Sequence, residues 1–61
     1  MTLFRAVAYN RDHLRFTFFF RNPNWNGVQE AAHSKLHQEM DRDPLMVRLG
    51  PWTVHNIDVS A

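Results

Sequence analysis

The stretch Leu14-Arg15-Phe16-Thr17-Phe18-Phe19-Phe20-Arg21 limits what this chain can fold into more than any other. Read with the two-residue period of a strand, Leu14, Phe16, Phe18 and Phe20 share one face, and Arg15, Thr17, Phe19 and Arg21 share the other. Four large apolar groups on one side of one strand must lie at the middle of the core. An orientation with the even-numbered rings inward leaves the arginines and Phe19 facing out.

Size decides how much core can surround that strand. The chain has 61 residues and is expected to form one domain spanning residues 1–61. A chain of this length buries only about 60% of the surface its unfolded form exposes. Support must then come from good packing, self-association or a partner. With no cysteine, disulfides and thiolate zinc sites are excluded. A 44% hydrophobic and 13% aromatic content is too apolar for a disordered chain. The net charge of +1 argues against a histone-like or tail-type nucleic-acid binder and leaves room only for a local basic face. Met1-Thr2-Leu3-Phe4-Arg5 has none of the features of a signal peptide, and Phe18-Phe19-Phe20 is the longest apolar run, far too short to span a membrane. The expectation is a soluble cytoplasmic protein without a membrane partner, in the host cytoplasm if it is viral.

Residues Leu3 to Tyr9 read as a first strand, with Phe4, Ala6 and Ala8 on one face and Leu3, Arg5, Val7 and Tyr9 on the other. A turn at Asn10-Arg11-Asp12 would make a hairpin with Tyr9 opposite His13, Ala8 near Leu14, Ala6 near Phe16 and Phe4 near Phe18. Small alanines would then sit against large rings. Asn22-Pro23-Asn24 ends the second strand. Beyond it the period changes: Trp25, Val28, Ala32, Leu36 and Met40 trace one stripe of a helix. Asn26 with Gln29 resembles a capping box, with Asn24 the rival cap. The helix is expected from Trp25 or Gly27 to Asp41, since Asp43 precedes Pro44 and is pushed out of helical geometry. Leu45, Val47 and Leu49 alternate as in a short strand or loop. Trp52 to Val59 reads as a closing strand whose phase breaks, which a bulge near His55-Asn56 would reconcile. The expected fold is α+β: a small antiparallel sheet of three or four strands, in ββαβ or ββαββ order, with one amphipathic helix on one face. Its core would set Phe4, Leu14, Phe16, Phe18 and Phe20 against Val28, Ala32, Leu36 and Met40.

The outer sheet face, where Arg5, Val7, Tyr9, His13, Arg15, Thr17, Phe19 and Arg21 should lie, carries the main candidate site: Arg5, Tyr9, Arg15, Phe19 and Arg21. Aromatic and arginine side chains are the anchors enriched at protein interfaces. The same groups suit single-stranded nucleic acid, with rings stacking on bases and arginines meeting phosphates. The plainest reading is a solvated face whose arginines guard a sticky strand, but Phe19 has little structural reason to be on the wet side. On the helix, His33 and His37 stand four apart, with Glu30 and Asp41 on the same side. That spacing can hold a divalent metal, yet an ordinary His37–Asp41 helical pair accounts for it with less. No metal or cofactor is therefore expected. Trp25 and Trp52, each beside a turn, read as lids over the core with the indole N–H bonded to a carbonyl. There is no cysteine nucleophile, no glycine-rich phosphate loop and no G-x-S-x-G elbow, so the chain is not expected to be an enzyme.

In element order the chain resembles the small bacteriophage-encoded strand-strand-helix-strand accessory proteins, such as the inhibitor of host RNA polymerase of T7-type phages. FRAVAYNRDHLRFTFFFR corresponds to the hairpin, NWNGVQEAAHSKLHQEMD to the helix and WTVHNIDVS to the close. The chain departs from that type in charge, which is near neutral here rather than concentrated in a strip. The resemblance implies a small binder, an inhibitor or modulator, acting on a larger host or viral macromolecule. The expected partner is a larger protein. Nucleic acid on the same face is the alternative, and a homo-oligomer formed through that face or an open sheet edge is a third arrangement.

Overall fold

The phenylalanine-rich stretch forms a strand, and its rings divide as the alternation requires. In the computed structural model, which describes residues 1–60, the elements are β1 (Thr2–Tyr9), β2 (Arg15–Asn22), α1 (Val28–Arg42), α2 (Pro44–Leu49) and β3 (Thr53–Val59). The three strands make one antiparallel sheet in the order β2-β1-β3, so the fold is α+β with β1 in the centre. Phe18 and Phe20 are buried and Phe16 is half-buried, while Phe19 is 49% exposed.

The core is built on the size contrast between two strands. Phe4, Ala6 and Ala8 of β1 are fully buried opposite Phe20, Phe18 and Phe16 of β2. The alanines leave room that the rings of β2 fill, and Phe4 stacks on Phe20 with ring centroids 5.6 Å apart. Val28, Ala32 and Leu36 of α1 close this layer, with Met40 partly buried beside them. The helix lies over β2 and against α2.

The hairpin keeps the expected faces but not the expected pairing. Tyr9 stands opposite Arg15, not His13, so every partner lies two residues further along β2. The cause is Asn10. Its buried side-chain oxygen accepts hydrogen bonds from the Asp12 and Leu14 amides, each at 2.9 Å, and its Nδ2 donates to the Leu49 carbonyl at 2.9 Å. His13 completes the turn in the left-handed region, φ 64°. The turn therefore extends through Leu14, which is 47% exposed instead of contributing to the core. A shift of two residues preserves the side-chain period, and the faces survive.

The helix also begins later than its stripe suggests, and no Asn26–Gln29 box forms. Gly27 occupies the cap position at φ 70°, a conformation glycine adopts readily, and no side chain caps the helix. Asn24 instead accepts a bond from the Asn26 amide at 2.8 Å, and Asn22 donates to the carbonyls of Asn24 and Asn26. These asparagines stabilise the connection itself.

Residues 45–49 form neither a strand nor a loop: they lie in α2. Asp43 caps this helix by accepting from the Leu45 amide at 3.0 Å, and Pro44 fits its first turn. Only Met46 is buried, with Leu49 half-buried three residues on, so Leu45 and Val47 are exposed despite their alternation. Trp52 then donates its indole N–H to the Met46 carbonyl at 2.8 Å, as expected of a lid. Trp25 covers less: it meets Phe4 edge-on at 4.9 Å but is 56% exposed. In β3, Val7 pairs with Asn56 and Ala8 with Val54, leaving His55 as the extra residue of a bulge where the phase change requires one.

Two stability measurements check this account. Phe18→Ala should cost about 3–5 kcal/mol in chemical denaturation, as full truncation in a packed core does, whereas Phe19→Ala should cost under about 1 kcal/mol. Asn10→Ala should cost about 2–3 kcal/mol, because it removes three hydrogen bonds and leaves their backbone partners without a protein partner. A near-neutral Asn10→Ala would mean the turn is held by other contacts.

Candidate functional site: the open sheet face

Among the described residues α1 covers one face of the sheet, and the alternation of three strands determines what stands on the other. β1 contributes Arg5, Val7 and Tyr9, β2 contributes Arg15, Thr17, Phe19 and Arg21, and β3 contributes Thr53, Asn56 and Asp58. All five residues singled out by the alternation, Arg5, Tyr9, Arg15, Phe19 and Arg21, lie on this face.

They form two clusters rather than one. At one end Arg5 sits between Phe19 on β2 and Asp58 on β3, with Arg21 two residues along from Phe19. At the other end Tyr9 stands opposite Arg15, whose guanidinium carbon lies 6.0 Å from the Tyr9 ring centroid. That separation is at the outer limit of a cation–π contact. Val7 opposite Thr17 lies between the clusters. Arg21 and Arg15 are six strand residues apart, roughly 20 Å along β2.

The electrostatics are one-sided. The hairpin carries Arg5, Arg11, Arg15 and Arg21 against one acid, Asp12, whereas α1 carries Glu30, Glu39 and Asp41 against Lys35 and Arg42. The near-neutral total therefore conceals a basic hairpin joined to a mildly acidic helix. Among the described residues the ion pairs are Arg5–Asp58 at 3.4 Å and Lys35–Glu39 at 3.7 Å. Arg15 and Arg21 have no acidic partner there. The helical pair is Lys35–Glu39 and not His37–Asp41.

Two shallow clefts mark this face and its turn end. One of about 240 Å³ runs between Arg5, Tyr9, Arg15, Thr17, Asn56 and Asp58, with Val7 as its floor. The other, about 420 Å³, lies at the turn end of the sheet among Tyr9, Asn10, Arg11, His13, Pro51, Thr53 and His55. His55 meets the Tyr9 ring edge-on at 5.1 Å. The sequence placed a bulge near His55 and set His13 on the outer face, but it did not enrol His55, Arg11 or Asp58 in the site. The phase break in β3 was the available signal for His55. Asp58 required the β1–β3 register, which local patterning does not contain.

His33 and His37 are exposed on α1, away from this face. Among the described residues no group of three or more histidine, aspartate or glutamate side chains is arranged to hold a metal ion. Among the described residues no helix is long and apolar enough to cross a membrane. In comparisons with known proteins, no family model, curated protein or solved structure matches the chain.

Both members of the Arg5–Asp58 pair are more than half exposed, so the pair should contribute little to folding. Asp58→Ala is expected to change unfolding free energy by less than about 1 kcal/mol while making the face more basic. A larger loss would show that Asp58 supports the sheet rather than the surface.

Proposed function

We propose that this chain is a small protein-binding module that occupies a surface of a larger protein through its open sheet face. The observation carrying this reading is Phe19, a large ring half-exposed on that face, opposite Arg5 and next but one to Arg21. An aromatic ring bordered by arginines is the side-chain composition of an interface anchor. Arg5, Phe19 and Arg21 form one anchor group, and Tyr9 with Arg15 forms the second. The work is done by binding, not by catalysis. In a host cytoplasm, the setting that the likeness to small phage accessory proteins suggests, such a module would inhibit or modulate the macromolecule it covers.

A second reading rests on the turn end of the face. Tyr9 and Arg15 lie together there beside Arg11, His13 and His55, a grouping that suits a nucleic-acid base and its phosphate. Binding of that kind would weaken steeply with salt as phosphate contacts release counterions.

Affinity capture from the source cell tests the first reading. The double variant Phe19→Ala, Arg21→Ala should keep the native circular dichroism spectrum and lose the captured partner, each truncated anchor costing about 1–2 kcal/mol of binding. If every partner stays bound, the face is not the interface. Absence of binding to single- and double-stranded oligonucleotides at low salt removes the second reading.

A further inference from the structure

The way α1 sits on the sheet leaves one strand edge both unpaired and flanked by a groove. β2 is an edge strand, regular over its whole length. The flank of α1 beside its core stripe presents Ala31, Ser34, Lys35 and Gln38, and together with Phe20 and Arg21 these line a groove of about 320 Å³. Strand edge and helix flank thus form the two walls of a single trough.

The direction of the backbone groups along that edge follows from the register. In an antiparallel ladder, alternate residues send both N–H and C=O to the same side. The Asn10 amide donates to the Leu14 carbonyl at 3.2 Å, which makes that pair a bonded one. Stepping by two along the register, Phe16, Phe18 and Phe20 turn their backbone groups toward β1. The Ser60 amide donates to Leu3 at 2.8 Å, so the odd-numbered residues of β1 point to the β3 side, consistent with this phase. Arg15, Thr17, Phe19 and Arg21 therefore present their N–H and C=O groups to the free edge.

We infer that this edge receives an extended, acidic segment of a partner protein, which adds as a fourth strand between β2 and the flank of α1; the inference rests on the reading of the chain as a protein-binding module. Main-chain bonds to Thr17 and Phe19 would supply affinity, as in other strand-addition complexes. The side chain opposite Phe20 would turn into the groove and is expected to be aliphatic. The side chains opposite Arg15 and Arg21 would turn to the open face, where two arginines without acidic partners among the described residues select carboxylates. A second copy of the chain fits worse. Fully overlapped antiparallel pairing of two β2 strands sets each copy's Arg15 across from the other's Arg21, and like charges directly opposite are destabilising. The other edge, β3, is interrupted by the His55 bulge, a device that disfavours added strands.

The test uses the whole chain, isotopically labelled, and a capped heptapeptide with glutamates at both ends, valines at its even positions and threonines between. The expected result is slowing of amide exchange at Thr17 and Phe19 on the order of tenfold, with the amides of Phe16 and Phe18 unaffected. Replacing the glutamates by lysines should abolish it. Thr17→Pro removes a donor aimed at the free edge while leaving the β1–β2 ladder intact, so it should abolish peptide binding, whereas Thr17→Val should retain it. Unchanged exchange at Thr17 and Phe19, binding that survives Thr17→Pro in a folded variant, or a dimer in sedimentation would overturn the inference. A captured partner lost on Phe19→Ala, Arg21→Ala but retained on Thr17→Pro would sink edge addition and leave the open-face interface standing.

Discussion

Everything in this molecule depends on the contact between the small residues of β1 and the large rings of β2. Ala6 and Ala8 are buried without leaving space because Phe18 and Phe16 stand opposite them. A larger residue on β1 would force the rings apart, and a smaller residue on β2 would open a cavity. The helix closes a layer that the two strands already define. This also explains why, among the described residues, one face of the sheet is covered: they provide one set of large apolar groups and one long helix to place over them.

The period of the side chains was the most legible property of the sequence. The alternation through Phe16, Phe18 and Phe20 gave the inward face, the stripe through Val28, Ala32 and Leu36 gave α1, and the phase break gave the bulge at His55. Pairing was less legible, because the turn is set by one buried side chain. Nothing local indicates that Asn10 reaches the Leu49 carbonyl, and that bond belongs to the geometry that lengthens the turn. Residues 45–49 misled for a related reason: their alternation suits a strand, but Asp43 and Pro44 start a helix before it can matter. The candidate site was readable as a face and not as a geometry. Its division into two clusters, and the pairing of Arg5 with Asp58, both require knowing which strand lies beside which.

The charge distribution follows the same architecture. Because the hairpin supplies the open face and the helix the opposite surface, uneven charge along the chain becomes uneven charge across the molecule. An approaching acidic surface would be attracted to one side and weakly repelled by the other, which favours a single orientation of encounter. The helix contributes to this asymmetry twice, by its acids and by lying over β2.

The position of β1 between β2 and β3 has a kinetic consequence. A two-stranded hairpin is marginal in water, and here its third strand comes from the far end of the chain. Closing the loop from β1 to β3 costs entropy before any of its contacts are made. The hairpin and helix can form early, but the central strand gains its second neighbour only when the whole chain has been gathered, so the native state should appear in a single step rather than by piecewise assembly.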